Sequence, residues 1–145
     1  MTELIVTRTV HIQATRSAVW AALTQPELIS EWFGDETELD LRVGGKGVLS
    51  WDDWGSFRLV IEEVDEPLSL AYRWAREPDA DPEPGASTLV RFSLENRVGG
   101  VDLTVLETGW DTLEGDVQAA MKGNQEGWLE ELDELVAFLE KQDSA

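Results

Sequence analysis

Residues 115–141 read GDVQAAMKGNQEGWLEELDELVAFLEK. Val117, Met121, Asn124, Trp128, Leu132, Leu135 and Leu139 recur three or four positions apart, which puts them on one stripe of an α-helix. At about 1.5 Å per residue the helix runs ~40 Å, long enough to cross a whole sheet. Glu126, Glu130, Asp133 and Glu134 fall on the opposite face and meet water. Gly115, Gly123 and Gly127 each cost about 1 kcal/mol relative to alanine inside a helix. They are read as a bend or as close approach of the helix backbone to a strand. A helix with one apolar stripe needs a partner surface, and the residues before it supply one.

From Thr37 to Trp110 the apolar period is two. Leu39, Leu41 and Val43 end at Gly44-Gly45, a hairpin signal, and Val48 to Trp51 follow. Phe57, Leu59 and Ile61 share a face that Glu66-Pro67 closes; then come Leu68, Leu70, Tyr72 and Trp74. Thr88, Val90, Phe92 and Leu94 form the next run, and Val101, Leu103, Val105 and Glu107 the last. Six strands joined by short turns imply an antiparallel meander, because parallel neighbours need crossover helices. The Pro-rich acidic stretch Arg76 to Ala86 is an exposed loop within that meander. Ahead of it, Leu4 to Ala14 alternate as a strand, with Leu4, Val6, Arg8, Val10 and Ile12 on one face. Two short helices follow, one carrying Val19, Trp20 and Leu23, the other Leu28, Ile29, Trp32 and Phe33. Thr24-Gln25-Pro26-Glu27 between them has capping-box spacing and a proline suited to a first helical turn. The order β-αα-β6-α is an α+β fold whose simplest packing lays the long helix across one face of a seven-stranded antiparallel sheet. A sheet of that width curls, and space can remain under part of the helix.

A chain of 145 residues suits one domain over 1–145. With no cysteine, disulfides, thiolate nucleophiles, Cys-ligated zinc and iron–sulfur clusters are excluded together. Thirty acidic against eleven basic residues give a net charge of -19. That charge repels phosphate backbones and anionic lipids, so neither nucleic acid nor membrane is an expected partner. No apolar run approaches the ~18 residues of a membrane span and the first residues lack a signal-peptide pattern, so a cytoplasmic location is expected. His11, the only histidine, falls on the polar face of the first strand, leaving no Ser-His-Asp arrangement and no multi-histidine metal site. Gly44-Gly45 and Gly99-Gly100 form no phosphate-cradling motif. No cofactor and no metal are expected.

The seven tryptophans raise the question of a binding box. Trp51, Trp74 and Trp128, with Phe57, Tyr72 and Phe92, lie on faces expected to point inward, where they could pack a core or wall a site for a flat apolar ligand. Trp20, Trp32 and Trp110 suit the packing of the short helices and a strand end. Arg8, Glu63 and Glu107 are charges on otherwise apolar faces, where an unpaired charge is costly. Only Glu63 and Glu107 suit a buried acid or base. Asn124, between Met121 and Trp128 on the stripe, could bond either a ligand or a sheet carbonyl.

Several stretches, taken in order, resemble the SRPBCC (START-like) superfamily, and within it the family of the activator of the heat-shock-protein-90 ATPase. They are Ala18-Val19-Trp20-Ala21-Ala22-Leu23-Thr24-Gln25-Pro26-Glu27-Leu28 through Trp32-Phe33, then Val43-Gly44-Gly45. Ile61 to Leu68, Tyr72-Arg73-Trp74, Glu107-Thr108-Gly109-Trp110 and Glu126-Gly127-Trp128 complete the set. The resemblance implies a helix-grip fold: a curved seven-stranded sheet wrapped around the long C-terminal helix, with an apolar pocket between them. It also implies pairing of the first and last strands, where Arg8 and Glu107 could meet as an ion pair or flank the pocket mouth. The expected function is binding of a small hydrophobic ligand by Arg8, Trp51, Phe57, Tyr72, Trp74, Phe92, Glu107, Met121, Asn124 and Trp128. The expected enclosed space is ~300 Å³ or more beneath the N-terminal half of the helix. Two alternatives stand beside it: a cyclase- or hydrolase-type enzyme using Glu107, Arg8 or Tyr72, and a co-chaperone-like regulator of the chaperone ATPase. The expected assembly is a monomer or weak homodimer.

Overall fold

The alternating segments form one sheet in the computed structural model, which describes residues 4–113 and 115–143, the last two of these without their side chains. Its strands are β1 (Val6–Ile12), β2 (Glu36–Leu39), β3 (Lys46–Trp51), β4 (Gly55–Asp65), β5 (Ser69–Ala75), β6 (Ser87–Arg97) and β7 (Gly100–Thr108). The order across the sheet is β1-β7-β6-β5-β4-β3-β2, antiparallel at every step. The meander therefore runs β2 to β7 and closes with β1 against β7. Helices α1 (Arg16–Thr24) and α2 (Pro26–Ile29) carry the chain from one edge strand to the other. A 3-10 turn (Trp110–Thr112) precedes the long helix α3 (Val117–Asp143).

The apolar stripes meet as their periods require. Leu59, Ile61, Leu70, Tyr72, Val90, Phe92, Leu103 and Val105 are buried on the concave face, and Trp128, Leu132, Leu135 and Leu139 of α3 are buried with them. Burial of each such side chain contributes ~1.5–3 kcal/mol. Trp20, Trp32 and Trp110 are buried and spend their indole N–H on Glu66, the Ala22 carbonyl and the Glu107 carbonyl, at 2.9, 2.8 and 3.0 Å. The Glu140 carboxylate accepts from the Gln13 N–H at 2.9 Å, tying the far end of α3 to the end of β1.

Two local expectations are corrected. Thr24 is the last residue of α1, not a cap for α2: its hydroxyl donates back to the Trp20 carbonyl at 2.8 Å. Thr15 caps α1 instead, accepting from the Ala18 N–H. The strand drawn through Leu41 and Val43 stops at Leu39, and Val43 is 68% exposed, because the loop turns away to bond β4 through Gly44, Gly45 and Ile61. The Arg76–Ala86 loop is largely exposed, as its composition implies, and is anchored to the β3–β4 turn. The Asp79 N–H bonds the Ser56 carbonyl, and Pro78 sits 3.0 Å from where a Cβ on Gly55 would stand. Gly55 has φ +102, so glycine there serves both the turn and the loop that packs on it.

Candidate functional site

Glu107 is the chemical centre of the concave face. It lies in a row with Val6 and Val90 in the strand register, and it is 0% exposed. Its Oε2 accepts from the Thr88 hydroxyl at 2.5 Å and the Trp74 indole at 3.0 Å, and its Oε1 accepts from the Trp128 indole at 2.9 Å. The Asn124 amide donates to both oxygens, at 2.9 and 3.0 Å. Every neighbour donates, which matches an acceptor-only carboxylate. Asn124 then accepts from Arg76 Nη1 at 3.0 Å, and the Arg76 guanidinium lies 5.1 Å from the Trp110 ring centre. Only one amide orientation serves both partners, NH₂ toward the carboxylate and oxygen toward the guanidinium.

An ordered aromatic partition stands around this centre. The Phe33 ring stacks on Trp128 at 5.4 Å and contacts Trp74 at 5.9 Å and Trp51 at 5.1 Å; Phe57 adds an edge contact to Trp51 at 5.8 Å. Gly34, at φ +79, lets the chain pass directly over the Trp51 ring, where a Cβ would come within 3.4 Å. The Asp35 carboxylate accepts from the Asp52 N–H at 2.6 Å and holds the β3–β4 turn in place.

The partition divides the hollow. Inside it, between α1, α2 and the sheet, remains an apolar void of about 20 Å³ touching Tyr72 and Phe92, room for about one water. Outside it is an open cleft of about 610 Å³ beside the N-terminal half of α3. One wall is Phe33, Trp51, Phe57 and Trp74, with Trp54 of the turn above it and Arg76 at the end of β5. The other is α3, through Asn124, Trp128 and the bare backbones of Gly123 and Gly127. The expected enclosed cavity is thus corrected to an open cleft, because the rings of Phe33, Trp74 and Trp128 occupy the interior.

Of the ten residues expected to bind a ligand, Trp51, Phe57, Trp74, Asn124 and Trp128 line the cleft. Glu107 lies behind its wall, while Tyr72 and Phe92 face the inner void. Met121 packs partly buried against the core outside the cleft lining. Arg8 does not meet Glu107. It pairs with Val105, a different row of the register, and leaves by the sheet edge to donate to the Leu129 carbonyl at 2.5 Å and to Asp133 at 2.7 Å. Glu63, expected to share the face of Ile61, is on the convex side in an ion pair with Arg91. A bulge between Ile61 and Glu63 shifts the strand phase there. Asn124 bonds no sheet carbonyl; its amide bridges Glu107 and Arg76. Phe33, Trp54, Arg76 and the two glycines were outside the expectation. Trp54 and Arg76 sit in a turn and at a strand end, where no periodicity marks a face.

Burial, and secondarily the Glu107 charge, push the Tyr72 hydroxyl far above its ordinary range, so it stays protonated. Half-burial, then repulsion from Glu134 and Glu130, holds the Glu131 carboxyl up at about 7.

A curved seven-stranded sheet gripping a C-terminal helix, with an aromatic cleft at one end, defines a helix-grip protein of the SRPBCC type. The family model described as Activator of Hsp90 ATPase homolog 1-like protein matches residues 13–140, and the chain belongs to that family. Protein MLL2253 from Mesorhizobium loti is 26% identical with a TM-score of 0.82, over 95% of this chain and 98% of that one. DynU16, described as a protein in the dynemicin biosynthetic locus, is 22% identical with a TM-score of 0.79, over 96% of this chain but 48% of its own. The Aha1 dimer from Colwellia psychrerythraea is 15% identical with a TM-score of 0.79, over 94% of this chain and 96% of that one. The last two are likenesses of fold alone. No curated protein sequence matches this one. Among the described residues no helix is long and apolar enough to cross a membrane.

Proposed function

We propose that this chain binds a small, flat hydrophobic molecule in the cleft between α3 and the β3–β4 hairpin. One observation carries the reading: an open space of about 610 Å³ whose two walls present indole and phenyl rings, left clear where Gly123 and Gly127 carry no side chain. Small-molecule sites are of ~300–1,000 Å³, mostly apolar, with a few placed polar groups. Here Asn124 and Arg76 are those groups, Asn124 held by its bonds to Glu107 and Arg76 by its bond to Asn124. Glu107 acts as a positioning residue, since Trp74, Trp128 and Asn124 all orient on its carboxylate.

A cyclase or hydrolase reading finds little support in this geometry. Glu107 is enclosed by donors, Arg8 is engaged at the sheet edge, and Tyr72 stays protonated within the core. A co-chaperone reading is favoured by the family's description, and retention of the chaperone from lysate in both low and moderate salt is its test. The direct test of the binding reading is native mass spectrometry of freshly purified protein, followed by solvent extraction. A co-purifying apolar molecule, released by a Gly127→Leu change that fills the cleft, supports the reading. Retention of the same molecule by that variant would remove it.

A further inference from the structure

The cleft's walls are aromatic, but its lining carries unequal charge. Arg76 stands at the inner end, and Glu126, Glu130 and Glu131 line the α3 side. The Arg76 charge is matched locally: Asn124 accepts from it and donates to Glu107, so guanidinium and carboxylate flank a single amide. The three α3 carboxylates have no such match. Among the described residues none of them is in an ion pair, since the paired acids are Asp40, Glu62, Glu63, Asp81, Glu95, Asp102 and Asp133. Lys122, one turn before Glu126, is exposed and does not line the cleft. Half-burial first, then repulsion from Glu134 and Glu130, raises the Glu131 pKa. A positive centre placed there relieves both repulsion and desolvation.

We infer that the occupant of this cleft is a small aromatic or lipophilic cation, its flat body between Trp51, Trp74 and Trp128 and its positive centre toward Glu126, Glu130 and Glu131. The inference rests on the cleft being a ligand site and adds the charge of the ligand. Indole faces attract a cation through their quadrupole, most strongly when water is displaced. Trp54, 73% exposed over the cleft, offers a further such face. The net charge of -19 draws cations toward the surface and repels anions. An anionic ligand would have only Arg76 to meet it, and that guanidinium is already engaged by Asn124 and the Trp110 face.

Three probes of near-equal size and different charge test this: 1-naphthylmethylammonium, 1-naphthalenemethanol and 1-naphthoate, each titrated calorimetrically into the full chain at low salt. The ammonium is expected to bind at least about tenfold tighter than the alcohol, with the carboxylate weakest, and the gap to narrow in about 0.5 M salt. In E126Q/E130Q/E131Q the ammonium's advantage should fall at least about fivefold, whereas in E27Q/E36Q/E38Q, which removes three carboxyl groups from α2 and β2, it should persist. Alcohol equal to or tighter than ammonium, carboxylate tightest, or an equal drop in both variants would overturn the cation preference while leaving a hydrophobic site. Failure of all three probes to bind would overturn the cleft as a ligand site as well.

Discussion

Glu107 receives hydrogen bonds from two tryptophans, a threonine and an asparagine drawn from two strands and the long helix. Replacing one of its oxygens by an NH₂ group turns a donor to face a donor. Glu107→Gln is therefore expected to lower stability by about 1–3 kcal/mol in urea unfolding, with the Trp74 and Trp128 indole N–H resonances both moving. Glu131 makes a separate prediction through its raised pKa. A carboxyl whose folded pKa is about 7, against an ordinary 4.5, opposes folding once ionised. Its stability contribution is most favourable below the unfolded pKa, declines as pH rises between the two values and stays unfavourable above the upper one. Glu131→Gln should then raise Tm at pH ~8 by roughly 2 °C or more and leave it unchanged at pH ~4. At this scale periodicity served well where side chains alternate. Trp74, Glu107, Asn124 and Trp128 were legible as members of one inner surface. Arg76 and Trp54 were not, since a strand end and a Gly-containing turn have no face to count along.

The long helix was legible from its stripe, and its glycines suggest a bend or close approach to a strand. The structure places them differently: a Cβ on Gly123 or Gly127 would meet nothing within 4 Å. Both sit one turn apart on the cleft wall. Since they carry the helical cost of glycine with no steric need for it, Gly123→Ala and Gly127→Ala should each raise stability by about 1 kcal/mol in chemical denaturation. Bulkier residues at either position should progressively weaken ligand binding. The strands were recovered in number and order, and their ends less well. Side-chain capping and bulges shift boundaries through hydrogen bonds that a two-residue period does not encode, as Thr15, Thr24 and the Ile61/Glu63 bulge each illustrate.

For the whole molecule, the closure of β1 on β7 and the crossing of α3 follow from the period of each segment and the resemblance of the motifs. The division of the hollow into a small void and a large open cleft does not. It depends on where Phe33, Trp74 and Trp128 stack, and ring rotamers are set by packing between elements far apart in the chain. The excess negative charge acts over the same scale. With thirty acidic residues against eleven basic, self-repulsion opposes the folded state. Raising sodium chloride from about 0.05 to about 0.5 M, where the Debye length falls well below the protein's diameter, should raise Tm.

The seven tryptophans provide the most direct measurement, because they fall into two sets. In a ¹⁵N-labelled sample titrated with 1-naphthalenemethanol, the indole N–H peaks of Trp51, Trp54, Trp74 and Trp128 should shift saturably, while those of Trp20, Trp32 and Trp110 hold still. Saturable shifts confined to the second set, or none in the first, would contradict a ligand seated between α3 and the β3–β4 hairpin.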